Sequence, residues 1–396
     1  MKKPKTTLFL ISINQFLTWG ILYYSFSVLI IPFKNELGWS EAIISGGFSS
    51  ALFLCGIISI PIGFLLDKIG PKPIIRIGTL LAPLLLSLLP LVTEIWQYYT
   101  IWLSIGFVMS LILYEPALKL VSELPLRHDK SFAFLTMIAG VSGVVFAPFG
   151  EWMVRMYGYQ FVIWFYAIIM LLLVAPSNFV ATHSEHANTT TVAMKPQFAW
   201  IFKADVLRFL TAIFLNTFAT ATILVLGVLW LMKGGKSAQF GAYVLGLVGF
   251  MSLPARLFVT KIHKFSSGYH AFALLVGFQS LSLIISFFYQ FDAMIILFAT
   301  VFGFSLGAIT PLRAVLAKQE FGHLGLGSVN GIIAFVTTMA RSIGPMIGAF
   351  VLQHSQNPRF FSVLLLSSSI LSLIFMISMT RGSVSKSLEP MLEVKN

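Results

Sequence analysis

A few charged groups stand where an otherwise apolar chain has least room for them. Arg341 lies near the centre of an uninterrupted apolar run at about residues 327–352. A charge at that depth of a bilayer costs at least ~2.5 kcal/mol on insertion scales, so it must face the protein interior or a wet cavity. Its planar fork of N–H donors suits a bidentate grip on a carboxylate. The competing reading is a structural salt bridge to Glu115 or Glu151. Glu115, in Tyr114-Glu115-Pro116, is the deepest acid, and Lys119 and Glu123 follow it at i+4 and i+8 on one helical face. An in-helix Glu115–Lys119 pair would neutralise that acid. A third cluster is Gly63-Phe64-Leu65-Leu66-Asp67-Lys68-Ile69-Gly70-Pro71-Lys72, which gathers charge and turn formers between two apolar runs. Glycine and proline end a helix there, and Asp67, Lys68 and Lys72 require a membrane surface.

The elements that position these groups follow from composition. Of 396 residues, 57% are hydrophobic and 10% charged, and the mean hydropathy is +0.90. A soluble domain carries about 25% charged residues, so this chain belongs in a bilayer. Twelve runs have the roughly 20 apolar residues a spanning helix needs. They fall near 8–32, 41–66, 74–93, 97–120, 131–153, 159–180, 205–231, 239–262, 269–290, 293–317, 327–352 and 360–380. The expected organisation is a six-helix bundle at 1–181, a cytoplasmic linker at 182–204 and a second six-helix bundle at 205–396. The first run is too long for a signal-peptide core and has no small-residue cleavage site, so it reads as a retained helix. With the N-terminus inside, twenty Lys and Arg fall on the cytoplasmic side and five outside, which orients both termini to the cytoplasm. The net charge of +12 is scattered between apolar runs, which is a topology signal and not a nucleic-acid patch. Cys55 is the single cysteine, which excludes an internal disulfide and a cysteine metal cluster.

The two halves also echo each other. Ser59-Ile60-Pro61 and Lys68-Ile69 reappear as Ser252-Leu253-Pro254 and Lys261-Ile262 at one shift of 193 residues. Pro116 and Pro311, and Pro148 and Pro345, match at nearby shifts. Parallel six-helix halves are a transporter architecture. The twelve spans, the linker, the repeat and the Gly63–Lys72 loop together resemble the major facilitator superfamily. The fold class expected is therefore an all-α membrane protein of two pseudo-symmetric six-helix bundles. Trp19-Gly20, Tyr23-Tyr24-Ser25-Phe26-Ser27, Pro32 and Glu36-Leu37-Gly38-Trp39-Ser40 are similar to the opening of the monocarboxylate and oxalate–formate exchanger branch.

That resemblance implies alternating access and small organic anions as cargo. It implies that Asp67, with Gly63, Lys68, Gly70 and Lys72, forms a conformational motif docking near the N-terminal end of the eleventh span, where the helix dipole favours an anion. The second copy is degenerate, with Thr260 for the acid and His263 for the glycine. Spans 4 and 10 face each other in the superfamily, so Glu115, Lys119 and Arg313 become a gating or proton-coupling set. Spans 1 and 7 border the cavity, which makes Tyr23, Tyr24 and Asn216 substrate-binding candidates beside Arg341. The branch carries a lysine on helix 11, so Arg341 matches by location and charge only. Interhelical hydrogen bonding is the competing fate of Asn14, Gln15, Asn216, Gln279 and Asn330.

The leading expectation is a secondary transporter of a small organic anion. The alternatives are an exporter of a larger amphipathic compound, a drug or a siderophore, and, outside transport, a membrane receptor or enzyme. No Ser/His/Asp, zinc or dual-carboxylate set suggests an enzyme, and no phosphate-binding loop suggests nucleotide-driven pumping. His183 and His186 flank Glu185 in the linker, where a solvated loop outweighs a metal site. No cofactor or metal is expected. The expected partners are the small-molecule anion, membrane lipid and a coupling proton, with the protein a monomer in a bacterial cytoplasmic membrane.

Overall fold

Proline and glycine punctuation sets where the helices begin and bend. α1 (Pro4–Trp19), α2 (Phe26–Leu37), α3 (Glu41–Ile69), α4 (Pro71–Leu88), α5 (Ile95–Ile112), α6 (Tyr114–Ser122), α7 (His128–Tyr157), α8 (Tyr159–Ile169) and α9 (Ala175–Thr182) occupy the first part of the chain. α10 (Ala204–Lys233), α11 (Ala238–Phe265), α12 (Gly268–Ile285), α13 (Asp292–Phe321), α14 (Leu326–His354) and α15 (Arg359–Met379) follow. This computed structural model describes residues 4–182, 202–265, 268–321, 326–355 and 357–379. The linker trio His183, Glu185 and His186 lies outside the described residues, as do the side chains of Thr260, Lys261 and His263.

Among the described residues, three of the apolar runs depart from regular α-helix. A π-turn at Gly20–Tyr24 joins α1 to α2, and another at Met170–Val174 joins α8 to α9. α5 and α6 meet at Leu113, whose ψ of −153° is extended and not helical. Eleven described helical segments are long and apolar enough to cross a membrane, and the twelfth, α11, is apolar over Tyr243–Arg256. The protein is a multi-pass membrane protein of the expected all-α class.

The chain forms two compact units, Met1–Ala193 with Gly325–Phe335, and Met194–Leu324 with Val336–Asn396. The first turns of α14 group with the first unit. In that unit Phe26, Phe33, Tyr98, Trp102 and Tyr166 are buried together. A polar seam runs through it: Ser177 donates to Asn14, Asn14 to Asn178 and Asn178 to Thr79. In the second unit Trp230, Phe298, Phe302 and Phe361 pack together. Ser280 bonds to Ser369 and Ser286 to Ser362, fastening α12 and its C-terminal turn to α15. Lipid gives helices no hydrophobic reason to associate, so such hydrogen bonds and close packing hold each unit.

Candidate functional site

The turn after α3 is set by Gly70, whose φ of 79° suits glycine, with Pro71 opening α4 immediately after it. One turn earlier, Asp67 is engaged from four directions. Its Oδ1 accepts the Gly327 N–H at 2.8 Å and Lys119 Nζ at 3.0 Å. Its Oδ2 accepts the Ser328 N–H at 2.7 Å and the Ser328 hydroxyl at 2.6 Å. Gly327 and Ser328 are in the first turn of α14, so the carboxylate meets otherwise orphaned amides and the positive end of the helix dipole.

Small residues make that approach possible. Ser59 and Gly63 on α3 face Gly327 and Gly331 on α14, each pair four apart, a spacing that lets helix backbones meet closely. A methyl group on Gly63 would fall 2.5 Å from the Gly327 carbonyl oxygen, and one on Gly331 would fall 2.2 Å from that of Ser59. The Ser59 hydroxyl donates to the Gly331 carbonyl at 2.9 Å.

Lys119 is 4% exposed, and the acid it engages is Asp67, across the bundle. The in-helix pairing with Glu115 offered by the sequence therefore gives way to a tertiary contact. Glu115, in the first turn of α6, and Arg313, in α13, are both half-buried. Lys68 is exposed and Lys72 half-buried, both beside the turn.

Arg341 is half-buried, 15 residues beyond the start of the 29-residue α14, which places it near the helix centre. It shares a stripe with Gly344 and Gly348 at i+3 and i+7, and both glycines abut Thr222 of α10. That stripe is the side of α14 that packs against α10. Arg341 makes no hydrogen bond or ion pair among the described residues, and Glu151 is paired with Arg155.

A second guanidinium escaped the sequence reading. Arg256 stands five residues before Lys261, and by sequence it is one of the twenty Lys and Arg on the cytoplasmic side. It is instead only 9% exposed within α11, and its Nε and Nη1 are buried without a hydrogen-bond partner among the described residues. The constant shift of 193 pairs it with Gly63, a substitution of arginine for glycine that would have been the available signal.

The tyrosine candidates sit in an aromatic cluster. Tyr23 is half-buried, with ring centroids 5.3 Å from Trp19, 5.1 Å from Tyr24 and 5.5 Å from Phe48. Both tyrosines belong to the π-turn, a backbone form often found at functional sites. Asn216 is 5% exposed and its Nδ2 donates to Gln279 Oε1 at 3.0 Å, which commits that amide to joining α10 and α12. For Asn216, interhelical bonding is the reading the geometry supports.

The sequence model of the Major Facilitator Superfamily matches residues 8–345. The chain belongs to that superfamily. It is similar to Monocarboxylate transporter 13 of Rattus norvegicus, 24% identical over 89% of this chain and 88% of that protein. It is also similar to the Fujikurins efflux protein of Gibberella fujikuroi, 24% identical over 85% of this chain and 71% of that one. The Multidrug resistance protein MdtH of Photorhabdus laumondii subsp. laumondii is 28% identical over 151 residues, and the match spans only 37% of its length. Among solved structures, the facilitator transporter FucP in the outward conformation has a TM-score of 0.74 at 15% identity, over 93% of this chain and 97% of that one. The proton:xylose symporter XylE has a TM-score of 0.72 at 15% identity, over 95% of this chain and 96% of that one. At these identities the structures speak for the fold, and this facilitator fold is a transporter fold.

Proposed function

We propose that this facilitator is a secondary active transporter of a small organic anion, a carboxylate, working by alternating access. The observation that carries the reading is Arg341: an arginine at mid-helix, on the stripe of α14 shared with Gly344 and Gly348, with no hydrogen bond or ion pair among the described residues. A cation held at mid-helix without a partner is costly, and transported anions are its natural counter-charge. Arg256 adds a second such cation within the same unit. In this reading Arg341 holds the carboxylate through paired N–H donors, and Tyr23 and Tyr24 line the path in the first unit. Asn216 positions α10 rather than cargo. Asp67 acts as the latch that stabilises the outward-facing state, a role the family resemblance supplies and the contacts to Gly327, Ser328 and Lys119 support. Glu115, Lys119 and Arg313 are the gating or proton-coupling set that the family resemblance implies, with Glu115 the candidate proton site. The lysine and arginine bias favours both termini in the cytoplasm.

Counterflow in proteoliposomes against mono-, di- and tricarboxylates tests the proposal. Carboxylate exchange lost in Arg341→Gln supports it, and exchange retained in that variant removes Arg341 from the site. The second reading, export of an amphipathic compound, draws on the efflux and multidrug-resistance names of several relatives. It predicts no carboxylate counterflow and movement of amphipathic dyes that survives Arg341→Gln.

A further inference from the structure

Pro116 has no N–H, so the carbonyl of Ile112, four residues earlier, loses its helical partner. This is where α5 ends and the chain turns extended at Leu113 before α6 begins. The orphaned oxygen is not left bare. Gln15 of α1 donates its Nε2 to the Ile112 carbonyl at 2.7 Å, and because a carbonyl can only accept, the amide orientation is settled by chemistry. Gln15 is 4% exposed, and its own Oε1 is buried without a partner among the described residues. A buried amide that uses its donor and leaves its acceptor unmet is held for the donor.

The donor is also well anchored. The neighbouring Asn14 is bonded at both ends of its amide, to Ser177 and to Asn178, and Asn178 continues to Thr79 on α4. Gly78, beside Thr79, has Leu111 and Ile112 so close that a methyl group on it would fall 2.7 Å and 2.5 Å from their side chains. The break is thus gripped from α1 and α4 together. Beyond it lies α6, which carries Lys119 to Asp67.

We propose that Gln15 is a positioning residue for the Asp67 latch: by holding the carbonyl that Pro116 orphans, it fixes the break in the fourth span and so the placement of Lys119 on Asp67. The inference rests on the latch reading above, and its test needs no knowledge of the cargo. Asp67 protects the amides of Gly327 and Ser328, on a helix that Gln15 does not hydrogen-bond. Their hydrogen exchange in the purified full-length protein therefore reports the latch and not local packing around Gln15.

Gln15→Leu and Lys119→Met are each expected to speed exchange of those two amides by about 2- to 10-fold, the worth of one hydrogen bond. The double variant should exchange no faster than the faster single one. In a Pro116→Ala background, which returns an N–H to Ile112, Gln15→Leu should add nothing. Should Gln15→Leu fail to fold, Gln15→Asn keeps the amide but withdraws it by one methylene, and the same acceleration is expected. Exchange at Gly327 and Ser328 unchanged by either Gln15 variant, or effects of Gln15 and Lys119 that multiply, would overturn the proposal. Asp67→Asn separates the two levels of failure. If it leaves both amides protected, the latch itself is wrong. If it speeds them while the Gln15 variants do not, Gln15 alone loses its role.

Discussion

Lys119 Nζ stands 3.0 Å from Asp67 Oδ1 across 52 residues of chain, and both side chains are largely buried, at 5% and 11% exposure. The pair is asymmetric. Asp67 also receives two backbone amides and a hydroxyl from the start of α14, whereas Lys119 has no second acid among the described ion pairs. Removing one partner of a buried pair leaves the other charge uncompensated, at a cost of about 3–5 kcal/mol.

The first prediction follows from that asymmetry. Asp67→Asn should destabilise the protein strongly, because it strands the Lys119 ammonium and offers an amide group where Gly327 and Ser328 need an acceptor. Lys119→Met should be milder, since Asp67 retains three donors. The double variant should then be more stable than Asp67→Asn alone. Thermal unfolding in detergent measures the order, and a double variant no better than Asp67→Asn would show that the stranded charge is not the cause.

Much of this was legible in the sequence because charge is rare here and therefore informative. The turn at Gly63–Lys72 stands out against the apolar runs on either side of it. The partner of Lys119 is not legible in the sequence, because Glu115, four residues earlier, offers a nearer acid than Asp67. The true contact depends on α3 and α5 lying close enough that a methyl group on Gly106 would fall 2.2 Å from the Ala51 carbonyl oxygen. The π-turns at Gly20–Tyr24 and Met170–Val174 leave hydropathy unchanged, so no apolar count detects them. Arg256 was read as a surface charge because it precedes a basic loop, and burial is a property of packing that spacing does not carry.

A second prediction concerns the close approach of α3 and α14. Gly331→Ala places a methyl group 2.2 Å from the Ser59 carbonyl oxygen, a backbone atom that cannot swing aside. Overpacking of this kind costs about 1–3 kcal/mol. Gly277→Ala, on α12, meets nothing within 4 Å and should leave stability unchanged or slightly raised by helix propensity. Melting of both variants beside the parent gives the comparison, and equal losses at the two sites would refute the steric argument.

Asn216 gives a prediction that separates scaffold from cargo. Asn216→Ala removes its bond to Gln279 and leaves a buried amide, so a loss of roughly 0.6–2 kcal/mol in stability is expected. The apparent KM for the transported anion should stay at the parental value. A raised KM with unchanged stability would return Asn216 to the binding site.

Arg256 supplies the sharpest test of the anion reading, because it sets stability against transport. The residue is only 9% exposed, with Nε and Nη1 buried and unpartnered among the described residues, so the folded protein carries the cost of burying them. Replacing a buried charge by an apolar side chain of similar length is often stabilising by about 1–4 kcal/mol. Arg256→Met should therefore raise the melting temperature. If the arginine is retained for cargo, the same substitution should sharply reduce carboxylate counterflow, while Arg256→Lys, which keeps the charge but loses the fork, should fall between. A residue kept for topology or packing predicts a different pair of results: Arg256→Met would transport normally, or would lose stability and transport together. Gain of stability with loss of transport is the combination that only a functional cation explains.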